Sequence, residues 1–301
     1  MNILVTGASG LIGSELISFL IKSKNHVSRL VRRAPAGAGE IMWNPGAGII
    51  DAEPLEGLDA VVHLAGENIS AGRWTAERKR RIRDSRIQGT RFLAQSISRL
   101  FDPPKVLVSV SATGYYGDRG EAQLDEESER GAGFLAEVCE GWEKATGPAL
   151  MRGIRVVTPR LGMVLSASGG ALPKMLPVFR LGLGGKIGNG RQYMSWISLS
   201  DVVGAIDHVI RNESIHGPIN VVTPSAVSNM EFAFTLGRVL GKRAVFTLPA
   251  FAARLLFGQM ADEVLLASTR VLPAKLKDTG YNFKFPELEG ALRSALQIIA
   301  G

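Results

Sequence analysis

Apolar residues fall along this chain in short β-branched runs separated by stretches of helical spacing. Asn2-Ile3-Leu4-Val5-Thr6 reads as a buried strand, and Leu16, Ile17, Leu20 and Ile21 then recur as one face of a helix. Further strands are predicted at Val27–Val31, Asp59–Gly66, Val106–Val110 and Ile154–Arg160, with another ending at Asn220–Pro224 as an added edge. A long helix is predicted over 75–100, with Ile82, Ile87, Phe92, Leu93, Ile97 and Leu100 apolar, and another over Asn229–Leu240, closed by Gly241. Residues 34–58, rich in Gly and Pro around IMWNP, read as a loop or short hairpin. Strands alternating with helices predict an α/β fold, a doubly wound parallel sheet.

Between the first strand and the first helix lies TGASGLIG, carrying Gly7, Gly10 and Gly13. Gly7 lets the chain turn off the strand, Gly10 lets a diphosphate approach the backbone, and Gly13 lets helix and strand pack closely. The N–H groups that open the helix, around Ser9, Leu11 and Ile12, are unpaired and sit at the positive end of its dipole. Thr6, Ser9 and Ser14 offer hydroxyl donors. About 20 residues further on, where a site preferring NAD places an acid for the ribose hydroxyls, this chain has Arg32 and Arg33. A guanidinium pairs bidentately with a 2′-phosphate, so the expected cofactor is NADP(H).

With 301 residues the chain can bury a full core. The single cysteine, Cys139, excludes an internal disulfide and a cysteine zinc site, and no metal-ligand spacing occurs elsewhere. There is no basic leader and no apolar stretch of bilayer-spanning length, so the expected setting is the cytoplasm, with no membrane partner. Net charge is +7 and the sequence pI about 9.7, which raises nucleic acid as a partner. The densest basic run, ERKRRIRDSR, has interleaved acids and no aromatic stacking residue and reads as a solvated helix face; no nucleic-acid partner is expected.

Ligands of such sheets lie at the carboxyl ends of the strands. There Leu64, Ala65 and Gly66 form a small-residue floor for a cofactor, with Glu67 and Asn68 placed to meet a substrate, while His63 inside the strand reads as a core histidine. Ser111, Thr113, Tyr115 and Tyr116 cluster at the end of the fourth strand and suit the holding of a carbonyl or alcohol beside a nicotinamide.

TGASGLIG, HLAGEN, SATGYYG, FLAEVCEGWE, the tract from Gly169 to Ile197 and SLSDVVGAI together resemble the extended short-chain dehydrogenase/reductase superfamily, in its atypical epimerase-family branch with a short C-terminal segment of unknown function. The resemblance covers essentially the whole chain. It implies a Rossmann-like NADP-binding domain over 1–164, its sheet completed by about 195–224, and a smaller substrate lobe over 165–301. It also implies Arg86 towards the cofactor, Gly162–Val164 near the nicotinamide, and Trp196 and Asp201 between domain and lobe. One departure matters: aligned on Glu143, the family's Tyr-x-x-x-Lys positions hold Leu135 and Cys139. Either Ser111 with Tyr115 or Tyr116 takes over the acid/base work, or the site binds NADP(H) without efficient turnover.

In the lobe, Lys174, Arg180, Lys186 and Arg191 are either a grip on an anionic or nucleotide-linked substrate or a solvated rim. The Met- and aromatic-rich run LPAFAARLLFGQMADEVLLAS suits core packing, with a subunit face or hydrophobic lid as alternatives, so a homodimer stays open. The expected function is NADP(H)-dependent hydride transfer at a carbonyl or carbinol carbon of a small molecule; the alternative is a cofactor-responsive binding protein.

Overall fold

The computed structural model describes residues 1–298. Strand β1 (Asn2–Thr6) leads through the glycine turn into helix α1 (Leu11–Lys22) and on to β2 (His26–Val31), which pairs parallel to β1. The tract predicted as loop or hairpin contains β3 (Glu40–Asn44), which pairs parallel to β2 and turns into the antiparallel β4 (Ile49–Ile50). Burial shows why β3 belongs to the sheet: Ile41 and Trp43 point inward while Met42 and Asn44 face out. Flanking glycines and prolines obscure that two-residue period in the sequence.

The chain then returns to the other side of β1 as β5 (Ala60–His63), and helix α2 (Ala76–Ser98) carries it to β6 (Val106–Ser109). β7 (Ser111–Ala112), helix α3 (Phe134–Lys144) and the strand Arg155–Leu161 follow, and Gly217–Val221 pairs parallel along the outer side. From the hairpin edge the main order is β4, β3, β2, β1, β5, β6, Arg155–Leu161, Gly217–Val221. Chain direction across the sheet reverses between β1 and β5, the switch point where ligands of doubly wound sheets lie.

One apolar layer packs α1 and the helix Leu199–Arg211 on one face of the sheet, with Leu16, Leu20, Val202 and Ile206 in it. The other layer packs α2 through Leu93 and Ile97. The lobe has its own core, in which Trp196 meets Phe232, Leu236 and Leu292. Helix Ala250–Phe257 does not pack as its apolar run predicts: Phe251 is 72% exposed and Leu255 73%, and only Ala253 is buried. Gly258 ends this helix at φ +61°, so the run never forms the single long amphipathic helix a core position would need. Among the described residues no helix is long and apolar enough to cross a membrane.

A buried ion pair ties α3 to the sheet. Arg160 donates from Nε and Nη2 to the two carboxylate oxygens of Glu143, both at 2.9 Å, with the side chains only 3% and 15% exposed. Removing one partner strands the other charge in the interior, which costs about 3–5 kcal/mol. Glu143→Ala is therefore expected to lower unfolding stability by about that amount in urea melts, whereas Arg83→Ala, at a mostly exposed pair, shifts it by less than about 0.5 kcal/mol.

Candidate functional site

The glycine turn is built by exclusion of side chains. A Cβ on Gly13 would lie 2.3 Å from the Gly7 carbonyl oxygen, and one on Gly7, at φ +68°, would lie 2.8 Å from the Leu64 backbone. Any side chain at either position pushes helix from strand or β1 from β5. A Cβ on Gly10 would meet only the Gly7 oxygen, at 3.2 Å, and the outer side of Gly10 is open. Ser9 and Gly10 are exposed there, and Leu11 and Ile12 are half-buried at the helix start. Ala8, Ile12, Leu64 and Val164 share one apolar cluster, so the turn, the β5 end and the later strand Met163–Leu165 form a continuous floor.

Of the three hydroxyls the sequence offers, only that of Ser9 makes no hydrogen bond among the described residues. Ser14 donates back to the Gly10 carbonyl at 2.9 Å, within the first turn of its own helix. Thr6 is fully buried and its oxygen accepts from the N–H groups of Leu64 and Ala65 at 3.1 and 3.2 Å. Its own proton therefore points to His63 Nδ1, 2.7 Å away. That bond makes Nδ1 an acceptor and fixes His63 as neutral with its proton on Nε2. Burial pushes its pKa down to about 4, as a core histidine requires.

At the end of β2 the two arginines differ. Arg33 is held bidentately by Glu40 at 2.8 and 2.9 Å, whereas Arg32 is exposed with no ion pair among the described residues. Across the cleft the Arg86 guanidinium lies against Gly66, where a Cβ would be 3.4 Å from Cζ. It donates to the Glu67 carbonyl at 2.9 Å and stacks on Trp142 at 4.9 Å. Burial holds its pKa below the usual arginine range. Arg78 donates to the Asn68 carbonyl, so α2 pins the whole Glu67–Asn68 loop. The basic run on α2 is thus split: Arg81 and Arg83 are solvated, while Arg78 and Arg86 turn towards the cleft.

The tyrosines separate as well. Tyr116 is fully buried; its hydroxyl accepts from Arg160 at 2.9 Å and has the Asn220 amide oxygen at 2.7 Å and the Asp125 carbonyl at 2.8 Å. Burial raises its pKa to about 12. A phenol so enclosed is a joint between strands and cannot reach a substrate, which corrects its place among the acid/base candidates. Tyr115 is half-buried, its ring lies 3.5 Å from the Arg160 guanidinium carbon, and its hydroxyl makes no hydrogen bond among the described residues. Ser111 is 2% exposed, and its hydroxyl faces the Cys139 thiol with no oxygen or nitrogen partner among the described residues.

Leu135 and Cys139 face this turn from α3, and a Cβ on Gly114 would lie 3.2 and 3.8 Å from them. Burial pushes the Cys139 thiol up to about 11, so it remains a thiol at neutral pH. Leu135 joins Trp74, Ile82, Phe134, Phe257 and Met260 in an apolar joint. One substrate candidate is displaced: Trp196 is fully buried in the lobe core and donates to the Ser225 carbonyl, whereas Arg191 is exposed.

A model of the NAD dependent epimerase/dehydratase family matches residues 3–222. The chain belongs to that family. Residues 248–295 of this epimerase-family chain match a domain of unknown function. It is 42% identical over 291 residues to an epimerase family protein of Mycobacterium leprae, covering 97% of this chain and 94% of that one. The crystal structure of the human epimerase family protein SDR39U1 with NADPH superposes with a TM-score of 0.90 at 36% identity, covering 99% and 100% of the two chains. The UDP-glucuronic acid 4-epimerase of Bacillus cereus, at 16% identity and a TM-score of 0.79 over 99% and 98% of the two chains, shares the fold.

Sequence reasoning overlooked a contributor from the C-terminal segment of this epimerase-family chain. Glu263 accepts from the N–H of Leu135 at 2.7 Å and of Phe134 at 3.1 Å, capping α3 from 128 residues away. No local signal in the sequence links the two. A wider surface groove of about 740 Å3 beside His208 and Tyr281 shares no residue with the glycine turn or the Leu135 region.

The His63 arrangement has a pH signature. Its folded pKa, about 4, lies below the ordinary histidine value of 6.5, so well above pH 6.5 both folded and unfolded forms are neutral. Between those values only the unfolded chain takes up the proton, and the stability His63 contributes falls as pH falls. Urea melts from pH 7 to 4 are expected to show this loss, with a slope shallower by up to one proton in His63→Gln.

Proposed function

We propose that the chain binds NADP(H) and carries out hydride transfer at a carbonyl or carbinol carbon of a small molecule, as an oxidoreductase or epimerase. The observation that carries this is the pairing of a turn closed to every Cβ at Gly7 and Gly13 with an unpaired guanidinium at Arg32. NADPH in the human relative supports the choice of cofactor.

The backbone N–H groups from Ser9 to Gly13 would hold the diphosphate at the positive end of α1. Arg32 would pair with the 2′-phosphate while Glu40 keeps Arg33 beside it as a braced second charge. Leu64, Ala65, Gly66 and Val164 would carry the nicotinamide half, with Arg86 supplying positive charge where the family's lysine is missing. Bound NADPH supplies a hydride. Ser111 would position the substrate oxygen, and the Tyr115 hydroxyl would give it a proton during reduction. Glu67 and Asn68 would border the substrate, with Asn68 Oδ1 already used by Ser70 and its amide N–H groups free to donate.

The second reading, a cofactor-responsive binding protein, draws on Leu135 and Cys139 in the Tyr and Lys positions and on the enclosure of Tyr116. Tyr115→Phe separates the two. Under the enzyme reading it abolishes NADPH oxidation with a carbonyl panel and leaves NADPH affinity unchanged; turnover undiminished by it removes Tyr115 as the acid.

Calorimetry tests the cofactor assignment. Arg32→Ala is expected to weaken NADPH binding about 10- to 100-fold, the scale of a charge-assisted hydrogen bond, and to leave NADH unaffected. Gly13→Val is expected to abolish binding of both. Equal affinity of the unaltered protein for NADH and NADPH would refute the role of Arg32.

A further inference from the structure

Two tracts of the lobe carry no acid. Between Glu143 and Asp201 the chain has no acidic residue, nor has it one between Glu231 and Asp262. The fold lays these tracts side by side, because strand Gly185–Ile187 of the first pairs parallel with Phe246–Leu248 of the second. Cations therefore collect there without counter-charges. Arg180, Lys242 and Arg243 are exposed, Lys186 is half-buried, and none of the four has an ion pair among the described residues. Arg238 and Arg254, by contrast, are taken up by Glu289 and Asp262.

The same corner exposes apolar side chains. Leu181 is 75% exposed and Val245 67%, and Val178, Leu183 and Phe246 are exposed with them. Backbone bonds bring these residues together: the Leu183 N–H donates to the Val178 carbonyl at 3.0 Å, and the Phe246 N–H to the Gly184 carbonyl at 3.3 Å, which sets Leu183 beside Val245. Their sequence neighbours Phe179 and Ala244 are buried in the lobe core, so the exposed set is the outer side of elements whose inner side is already packed. The strand leads through Pro249 into helix Ala250–Phe257, where exposed Phe251 and Leu255 lie one turn apart. Apolar side chains gathered on a surface in this way mark a contact.

The charge decides with what. An isologous contact between two copies of this face would bring Arg180, Lys242 and Arg243 towards their own like charges. A nucleic acid would match the charge, but Val178, Leu181, Leu183 and Val245 are aliphatic and offer a base no stacking face. A bilayer with anionic headgroups matches both features: the cations meet the headgroups while Leu, Val and Phe enter the boundary with the acyl chains. Lys and Arg have the reach for this, their methylene stems lying along apolar neighbours while the charged heads stay in the polar layer. No helix among the described residues is long and apolar enough to cross a membrane, and attachment to its surface needs none.

We propose that this face of the lobe, residues 178–183 with residues 242–246, docks on a bilayer of net negative charge and holds the protein at its surface. None of these residues takes part in the binding of NADP(H) set out above, so the two readings stand or fall separately.

Sedimentation of the full chain with vesicles tests it, using phosphatidylcholine alone and phosphatidylcholine with about one-third phosphatidylglycerol. The expected result is binding to the anionic vesicles and not to the neutral ones. Arg180→Ala with Lys242→Ala and Arg243→Ala is expected to lower the partition coefficient about fivefold for each cation removed. Leu181→Ser with Val245→Ser is expected to lower it about tenfold. As a control of equal charge loss, Arg80→Ala with Arg81→Ala and Arg83→Ala, on the solvated side of α2, is expected to change it less than about twofold. All of these side chains are exposed, so thermal melts of the variants are expected to match that of the unaltered protein. No binding to the anionic vesicles, equal loss in the two arginine and lysine triples, or binding indifferent to the Leu181 and Val245 changes overturns the proposal, the second outcome meaning that net charge alone draws the protein to the vesicles.

Discussion

Everything at the cleft depends on how closely three backbones approach at Gly7, Gly13 and Leu64. The contact has no side-chain attraction of its own; it exists because two Cβ atoms are missing. Thr6 then locks it, since its hydroxyl accepts two N–H groups of the β5 exit and donates to His63. β1 and β5 are the strands at which the sheet changes direction, so this small polar stitch holds open the crevice in which a dinucleotide would lie. The price is a histidine that must stay neutral in the core.

The second organising contact is the Arg160–Glu143 pair with its two tyrosines. It fixes α3 against the sheet and decides which tyrosine is available, because a guanidinium that satisfies the Tyr116 hydroxyl also flattens the Tyr115 ring against itself. On the other side of α3, Leu135 and Cys139, where the resemblance implies a Tyr and a Lys, are taken up in packing. Leu135 belongs to an apolar joint with Trp74, Phe257 and Met260, and its backbone N–H is capped by Glu263. α3 thus carries the seam to the C-terminal segment.

Much of this was legible in local pattern. The strand, glycine turn and helix at the start of the chain are short-range stereochemistry, and two arginines after β2 follow from spacing alone. That Leu135 and Cys139 stand where the resemblance implies Tyr and Lys could be read from position. β3 was obscured because a five-residue strand between Gly- and Pro-rich flanks offers too few alternations to stand out, although Ile41 and Trp43 carry the period. Helix Ala250–Phe257 misled in the opposite direction, its composition being that of a core element while its place is on the surface.

By itself the sequence determined the doubly wound class, the glycine turn and the expectation of a phosphorylated dinucleotide, because each rests on residues that act within one turn or one strand of each other. Only the tertiary structure decided that Arg32 rather than Arg33 is free, that Tyr116 is enclosed while Tyr115 is not, and that Glu263 reaches α3. Those outcomes depend on partners such as Glu40, Asn220 and the C-terminal segment, whose proximity is set by packing across the sheet and leaves no trace in local spacing.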